Sequence, residues 1–557
     1  MTLLWPSVYA LGDGDHRRWV GTKDPFAALA KNPDAELQYL VELYPYNDST
    51  ALALKTVTIF PGVMALGDYT LPYSGGEVKE RLSDHGFITA PTDTDPNRLY
   101  LGRVTNPLQF DSSILSGGTF SGGSTSYGGI DIVNADGELD RFWSYHWAGR
   151  QVVVKAGGIG FAYDDFSPIF SGSVNSIDGN DSRIVLTIRD NRIKTDKPVR
   201  SAMYGGTGSL DGMAALTGQM KPLAYGVCKN VLPVLVEYAT QTYQLHDGSL
   251  AAVDQVRDRG IILTYAGDVA DIRTANPGAN QYVTQLSGGY MRLGSTPAGQ
   301  ITADVQGDNA DGFTTNSALL ALKILKSKLG VYSFSSADID EGSFARVAAV
   351  LMGAGGLYID GDVTGSDVLD ALLNNSGAYW TFTRQGMLFA GIVRTPDMPT
   401  IDVRNIDIQG LTVKEVIPPA WRITVGYAPA TQVQSETDLA GGVTSDVQNF
   451  VTQAYRTVTA EDSSVRQRNA LSNELVFNTN LASLDDAKAL LARLVAIYSV
   501  KRTVYQVTVY NALYRYFVGD TANLVYDRYG LSAGKPFLVV GISENAASIE
   551  TTLELWG

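Results

Sequence analysis

Short β-branched and aromatic runs, each stopped by a Gly, Pro, Asn or Asp turn, recur along most of this chain and leave little room for long helices. Arg183-Ile184-Val185-Leu186-Thr187-Ile188-Arg189 halts at Asp190-Asn191, and the apolar run 151–155 is followed by Gly157-Gly158. Residues 55–60 form a similar run that ends at Pro61-Gly62. Tyr505-Gln506-Val507-Thr508-Val509-Tyr510 alternates with period two, the pattern of a strand with one buried face. Residues 537–542 and 551–556 close the chain as further strands. With 57 Gly among 557 residues, this punctuation predicts sheets joined by turns.

Helices are few and late. Ala318, Leu322, Leu325 and Leu329 share one helical face, and Thr315, Asn316 or Ser317 can cap it. A short helix is expected over 367–373, after Thr364-Gly365-Ser366. The strongest helical signal spans 484–499. Ser483 and Asp486 have capping-box spacing, and Leu484, Ala487, Leu491, Leu494 and Tyr498 form its stripe. The expected fold is mainly β, an α+β multidomain chain of several β-barrel or sandwich-like modules with a small mixed α/β middle domain. Turn clusters divide it into a β-rich region 1–104, a first barrel 105–203, a second β-rich domain 204–311, a small α/β domain 312–399, and a C-terminal barrel with one helix, 400–557. The Gly/Ser-rich stretch 116–124 reads as a long surface loop.

Charge excludes one class of partner. Forty-three Lys and Arg against 58 Asp and Glu give −15, which argues against a dedicated nucleic-acid groove. The single Cys, Cys228, can form neither an intrachain disulfide nor a thiolate metal site. His16, His85, His146 and His246 are too dispersed for a His-based metal centre. The first ten residues lack a basic region ahead of their apolar stretch, and no window reaches the roughly 20 apolar residues of a membrane span. The expectation is a soluble protein made in a reducing cytoplasm, without a membrane anchor, cofactor or metal.

The motifs that could carry chemistry each meet a simpler account. Gly205-Gly206-Thr207-Gly208-Ser209-Leu210-Asp211-Gly212 suggests a phosphate cradle, but Met213 stands where a P-loop needs Lys. Asn134-Ala135-Asp136-Gly137-Glu138-Leu139-Asp140 resembles part of a calcium loop, yet Ile132 and Trp143 occupy ligand positions, so a turn at Asp136-Gly137 is expected. Asp360, Asp362 and Asp367 lack a closing Glu. Capping by Thr364 or Ser366 accounts for them, with a weak calcium site as the alternative. Asp164-Asp165 and Asp485-Asp486 are adjacent acids, the second pair suited to a helix N-terminus. His246-Asp247-Gly248 could pair a base with its orienting acid, but no nucleophile accompanies it. Phe142, Trp143, Tyr145 and Trp147 could stack on sugars, although cores and interfaces use such residues more often. No residue is assigned a catalytic, cofactor-binding or metal-binding role, and the expectation is a protein without enzymatic activity.

Four stretches together resemble tail-tip and baseplate-hub proteins of long-tailed bacteriophages, including gene-transfer-agent-like tails. The first runs from Phe110-Asp111-Ser112-Ser113-Ile114 through Gly129-Ile130-Asp131-Ile132-Val133-Asn134 to Trp147-Ala148-Gly149-Arg150. The second joins Gly205-Gly206-Thr207-Gly208, Lys221-Pro222-Leu223-Ala224-Tyr225-Gly226 and Asn230-Val231-Leu232-Pro233, and leads to Val256-Arg257-Asp258-Arg259-Gly260. The third is Leu293-Gly294-Ser295-Thr296-Pro297-Ala298-Gly299-Gln300-Ile301. The fourth is Val518-Gly519-Asp520-Thr521 with Phe537-Leu538-Val539-Val540-Gly541-Ile542, similar to the closing barrel of hub proteins.

The resemblance implies a structural virion protein at the tail tip, assembled in the host cytoplasm. It would close the tail tube and anchor the distal tail ring and fibres. Implied partners are further copies of itself, as a homotrimer or hexamer, together with a distal tail protein, a tape measure protein and tail fibre or central spike proteins. Two similar barrels per chain, one over 104–200 and one over 404–557, would then match threefold to sixfold symmetry. The competing readings are a distal tail ring protein, a carbohydrate-binding adhesin using the Phe142 to Trp147 aromatics, and a cell-wall glycan hydrolase.

Overall fold

Where apolar side chains alternate with polar ones, the chain pairs into sheets with one wet face and one dry face. A computed structural model describes residues 36–48, 51–54, 69–72, 75–510 and 513–557. The run expected as a strand over 55–60, the first ten residues and His16 lie outside the described residues. Strand clearly exceeds helix, so the chain is a mainly β, multi-sheet protein.

The largest sheet has nine strands, in the order Phe87–Ile88, Leu99–Gly102, Glu80–Ser83, Leu37–Leu43, Gln151–Gly158, Ser167–Gly179, Arg183–Arg189, Gly129–Val133 and Val104–Asn106. In Arg183–Arg189 the residues Ile184, Leu186 and Ile188 point into the core while the arginines at its two ends do not. Val41, Ile130, Ile132, Val152 and Val154 complete that dry face. Leu40, Tyr100, Tyr163 and Phe166 pack on the opposite side.

An eight-stranded sheet joins distant parts of the chain. Thr119–Tyr127, Gln109–Ser116, Lys535–Asn545, Glu550–Trp556, Arg502–Tyr510 and Ile408–Ile417 lie in that order. Thr521–Val525 also pairs with Lys535–Asn545, and Ile401–Arg404 runs parallel to Thr521–Val525. None of the sheets closes into a barrel among the described residues, so the expected barrels are open sheets. The reason is a shared strand pairing: Gln109 to Ser113 lie opposite Asn545 to Gly541, so the hairpin from 109 to 127 completes the C-terminal sheet. Strands from both sides of residue 104, Leu37–Leu43 and Gln151–Gly158 among them, pair within the nine-stranded sheet.

The stretch 116–124, expected as a long loop, is that hairpin. Gly117 and Gly118 take φ of +56° and +81°, the left-handed pair that a two-residue hairpin turn requires. Gly123 serves a different need, since a Cβ there would sit 2.6 Å from Thr381 Oγ1. The glycines that suggested flexibility instead let the hairpin lie flat on the strand Ala378–Phe382.

Along the chain, between Arg189 and Ile401, come two five-stranded sheets and a helical unit. Ile261–Ile262, Leu250–Asp258, Ile301–Asp308, Leu223–Val231 and Gly356–Ile359 form one sheet. Val234–Glu237, Thr242–Gln244, Tyr290–Leu293, Gln281–Gln285 and Thr264–Asp268 form the other. Helices Ser317–Ser327, Glu341–Val350 and Gly365–Leu372 bury Ala318, Leu325, Phe344 and Leu369 against the hairpin of Ala378–Phe382 and Leu388–Ile392. Asn316 caps the first helix, accepting from Ala318 N at 3.1 Å, and the helix stops before Leu329, which is buried beyond its end.

Helix Leu484–Tyr498 packs on the three-stranded sheet Arg456–Glu461, Arg422–Tyr427 and Glu474–Asn478. Ser483 Oγ accepts from Asp486 N at 3.1 Å, and Ala487, Leu491, Leu494 and Tyr498 are buried. Leu484, placed on the same stripe by spacing, is 39 % exposed. No helix among the described residues is long and apolar enough to cross a membrane.

Candidate functional site

Three clusters of buried charge stand out among the described residues, one at a junction between sheets and two within a sheet. Arg384 sits in the turn of the 378–392 hairpin, and it reaches Glu544 through Nε–Oε2 at 2.7 Å and Nη2–Oε1 at 2.9 Å. Its Nη2 also donates to Tyr516 O at 2.6 Å, while Tyr514 N donates to Glu544 Oε1 at 2.8 Å. The guanidinium lies over Phe517 and Phe110, with ring centroids at 4.8 and 5.3 Å. Behind it, Ser171 N donates to Arg384 O and Asn191 Nδ2 donates to Gly386 O. One turn of the helical unit thus holds the nine-stranded sheet and the eight-stranded sheet together. Burial pushes the Glu544 carboxyl up, and Arg384 and the Tyr514 amide pull against that shift.

A second buried pair lies within the middle five-stranded sheet, beside the place where that sheet meets the C-terminal part. Arg257 meets Asp304 in a bidentate contact at 2.8 and 2.7 Å, and Asn230 N donates to Asp304 Oδ1. Next to it the chain near 430 is held by backbone bonds, Thr431 N to Lys229 O and Gln432 N to Asn230 O. Arg259 donates to the carbonyls of Asp438 and Leu439.

The third cluster lies within the nine-stranded sheet. Glu42 accepts from the hydroxyls of Tyr100 and Tyr163 at 2.6 Å each and from Tyr44 at 3.0 Å. Lys79 and Lys155 stand 3.2 and 3.4 Å away. Burial raises the Glu42 carboxyl, but the hydroxyl donors and the two ammonium groups outweigh it and bring it down to about 2.

The residues singled out by sequence are brought into local structure. His246 is 1 % exposed, and both ring nitrogens are engaged: Nδ1 accepts from Ala224 N at 3.0 Å and Nε2 meets Asp308 Oδ1 at 3.2 Å. Its acid partner is therefore Asp308, which also contacts Lys323, whereas Asp247 accepts from Ala202 N. Cys228 is buried with Sγ against Tyr225 O, and burial pushes its thiol up to about 12, away from nucleophilic thiolate. In the Gly205 to Gly212 loop, Asp211 fills the cradle. Its carboxylate accepts from Gly205 N, Thr207 N and Thr207 Oγ1.

The calcium-like segment is similarly closed. Arg103 bridges Asp136 and Glu138, while Asn134 bonds Asp140 Oδ1 and Leu139 N. Asp367 forms a reciprocal capping box with Thr364. Among the described residues no three His, Cys, Asp or Glu side chains gather as a metal site. Asp164 accepts from Thr94 Oγ1 at 2.5 Å. Phe142 and Trp147 are core residues, Trp147 Nε1 donates to Phe142 O, and Trp143 alone of the four aromatics is largely exposed, at 47 %. His85 pairs with Asp84 and His146 with Asp48.

A shallow groove of about 200 Å³ runs across the wet face of the eight-stranded sheet. Asp111, Ser113, Ser124, Ser126, Ser543 and Glu554 line it, a surface of hydroxyls and carboxylates. Sequence reasoning passed over Glu42, Arg257, Arg384 and Glu544. Of these only Glu42 carries a local signal, a lone charge in the apolar run Leu40-Val41-Glu42-Leu43; Arg257, Arg384 and Glu544 sit among polar neighbours.

No known protein family matches the chain, and no curated protein matches it. Among solved structures it is similar to a 43 kDa tail protein of prophage MuSo2 from Shewanella oneidensis, at 10% identity and a TM-score of 0.33, covering 82% of this chain and 93% of that one. A chain of a native gene transfer agent virion is similar at 16% identity and a TM-score of 0.35, covering 61% and 84%. A tail protein from Neisseria meningitidis MC58 is similar at 10% identity and a TM-score of 0.32, covering 82% and 95%. At these scores the likenesses fix neither the fold nor the role of this chain.

Proposed function

We propose that this chain is a structural protein of a phage or phage-like tail, placed at the tip as a baseplate hub. The observation that carries this reading is the resemblance of four stretches, in compatible order, to tail-tip proteins. The structure supports it physically, because the buried Arg384–Glu544 pair sits in a turn that also bonds Ser171, so it ties the eight-stranded sheet to the nine-stranded one. A plug or ring at the end of a tube needs that kind of stiffness more than it needs a reactive pocket. In this role copies of the chain assemble around the tail axis as a trimer, meet the distal tail ring and the tape measure protein, and carry fibres or a central spike. Opening is conformational: receptor engagement biases an interface from closed to open. The chain performs no catalysis in this reading and holds no cofactor or metal.

Cryo-electron microscopy of particles made with and without the gene tests this directly. The expected outcome is density for this chain at the tail tip and tubes that fail to terminate or assemble in its absence. Density in the ring above the tip would instead assign it as the distal tail ring protein. Complete tails that contain no copy of the chain would overturn the tail reading.

A further inference from the structure

Strand Ile408–Ile417 ends the eight-stranded sheet on one side. It pairs with Arg502–Tyr510, from Ile408 opposite Val509 to Ile417 opposite Arg502. Among the described residues no backbone bond is made along its other side. Most of its ten residues are exposed on both faces, with Val413 at 42 %, Val416 at 48 % and the preceding Ile406 at 89 %. The opposite margin of the same sheet is treated differently. Thr119–Tyr127 lies against Ala378–Phe382, Phe120 N donates to Tyr498 Oη, and Arg192 donates to Gly123 O.

A long open edge rich in β-branched residues is a template for another strand. This edge also carries devices that reject indiscriminate pairing, a central Lys414 and two bulges, between 408 and 410 and between 413 and 415. Those devices leave one partner favoured. If the strand meets its own copy antiparallel with Lys414 opposite Glu415, Glu415 is opposite Lys414 by the same symmetry, and Val413 meets Val416 twice. Every charged residue of the strand then faces its opposite and the exposed valines face one another. We propose that Ile408–Ile417 is an interface with a second copy of this chain, formed by antiparallel strand addition about a twofold axis.

The inference stands apart from the tail reading. A threefold ring that also used this contact becomes a six-copy particle. Lys414 already contacts Glu554 within its own sheet, so its exchange also alters an internal contact, and Glu415→Lys provides the independent variant.

The test uses the full chain, with mass measured by light scattering and sedimentation over a dilution series and folding checked by thermal melting. Wild type is expected to show even-numbered assemblies that dissociate on dilution. K414E and E415K should each halve the assembled mass, because like charges then oppose one another. Mixing K414E with E415K should restore it, since each variant supplies the charge the other lacks. Amides of 408–417 should exchange more slowly in the assembled wild type than in either variant alone. A wild type that keeps an odd-numbered or monomeric mass, single variants with unchanged mass, or a mixture that does not reassociate would each overturn the proposal. A failure in particle microscopy leaves these solution outcomes untouched, so the two readings fail separately.

Discussion

Arg384 and Glu544 illustrate how one buried charge depends on its partner. Removing one member of a buried pair leaves the other uncompensated and typically costs about 3–5 kcal/mol. Arg384→Met is expected to lower the melting temperature markedly and to loosen the contact between the helical unit and both large sheets. Arg384→Met combined with Glu544→Leu should recover most of that loss, because apolar groups of similar size can replace such a pair. Calorimetry of the two variants checks this, and equal instability of both would refute it. Glu42 supplies a pH dependence. Its carboxyl is lowered in the folded chain from 4.5 to about 2, so its contribution is complete above pH 4.5 and is lost as pH falls toward 2. Glu42→Gln should therefore be less stable than wild type at neutral pH, and the difference should shrink on acidification through that window. Melting curves at several pH values read it out.

Elements in this chain are fixed by small local choices that packing then tests. Gly123→Val places branched carbons where Cβ alone would lie 2.6 Å from Thr381 Oγ1, so the hairpin must lift off Ala378–Phe382. Overpacking of that kind costs on the order of 1–3 kcal/mol. Thermal shift should show it, whereas substitution at the exposed Gly441, which has nothing within 4 Å, should have little effect. Ser483→Ala removes the side-chain acceptor for Asp486 N and should cost helix Leu484–Tyr498 about 1 kcal/mol. These elements also show what the sequence made legible. Arg183–Arg189 and Leu484–Tyr498 were plain because alternation or capping coincided with burial. The hairpin around Gly117 was hidden, since its glycines answer to a neighbouring strand hundreds of residues away in the chain. Helix Glu341–Val350 was missed as well, with only Phe344 and Val347 as large apolar residues on its buried side. The junction charges escaped for the same reason as the hairpin: Arg384 and Glu544 gain meaning only when distant segments meet.

At the scale of the whole molecule the chain closes on itself. Gln109–Ser116 has Lys535–Asn545 as a strand neighbour, so the eight-stranded sheet cannot be complete until the last residues are in place. Such non-local pairing couples residues 109–113 to 541–545, and loop-closure entropy delays it relative to local hairpins. Two consequences separate this arrangement from independently folding modules. A fragment ending at residue 399 should expose the open side of the 109–127 hairpin, and limited proteolysis should cut it there while Arg183–Arg189 stays protected within the nine-stranded sheet. In the intact chain, hydrogen exchange at Asp111 and Ser113 should slow and quicken together with that at Ser543 and Gly541 when Arg384→Met loosens the junction. Exchange in the hairpin that instead follows Gly129–Val133, with the C-terminal strands unaffected, would mean that the modules fold apart and that the shared sheet forms only as a late contact between them.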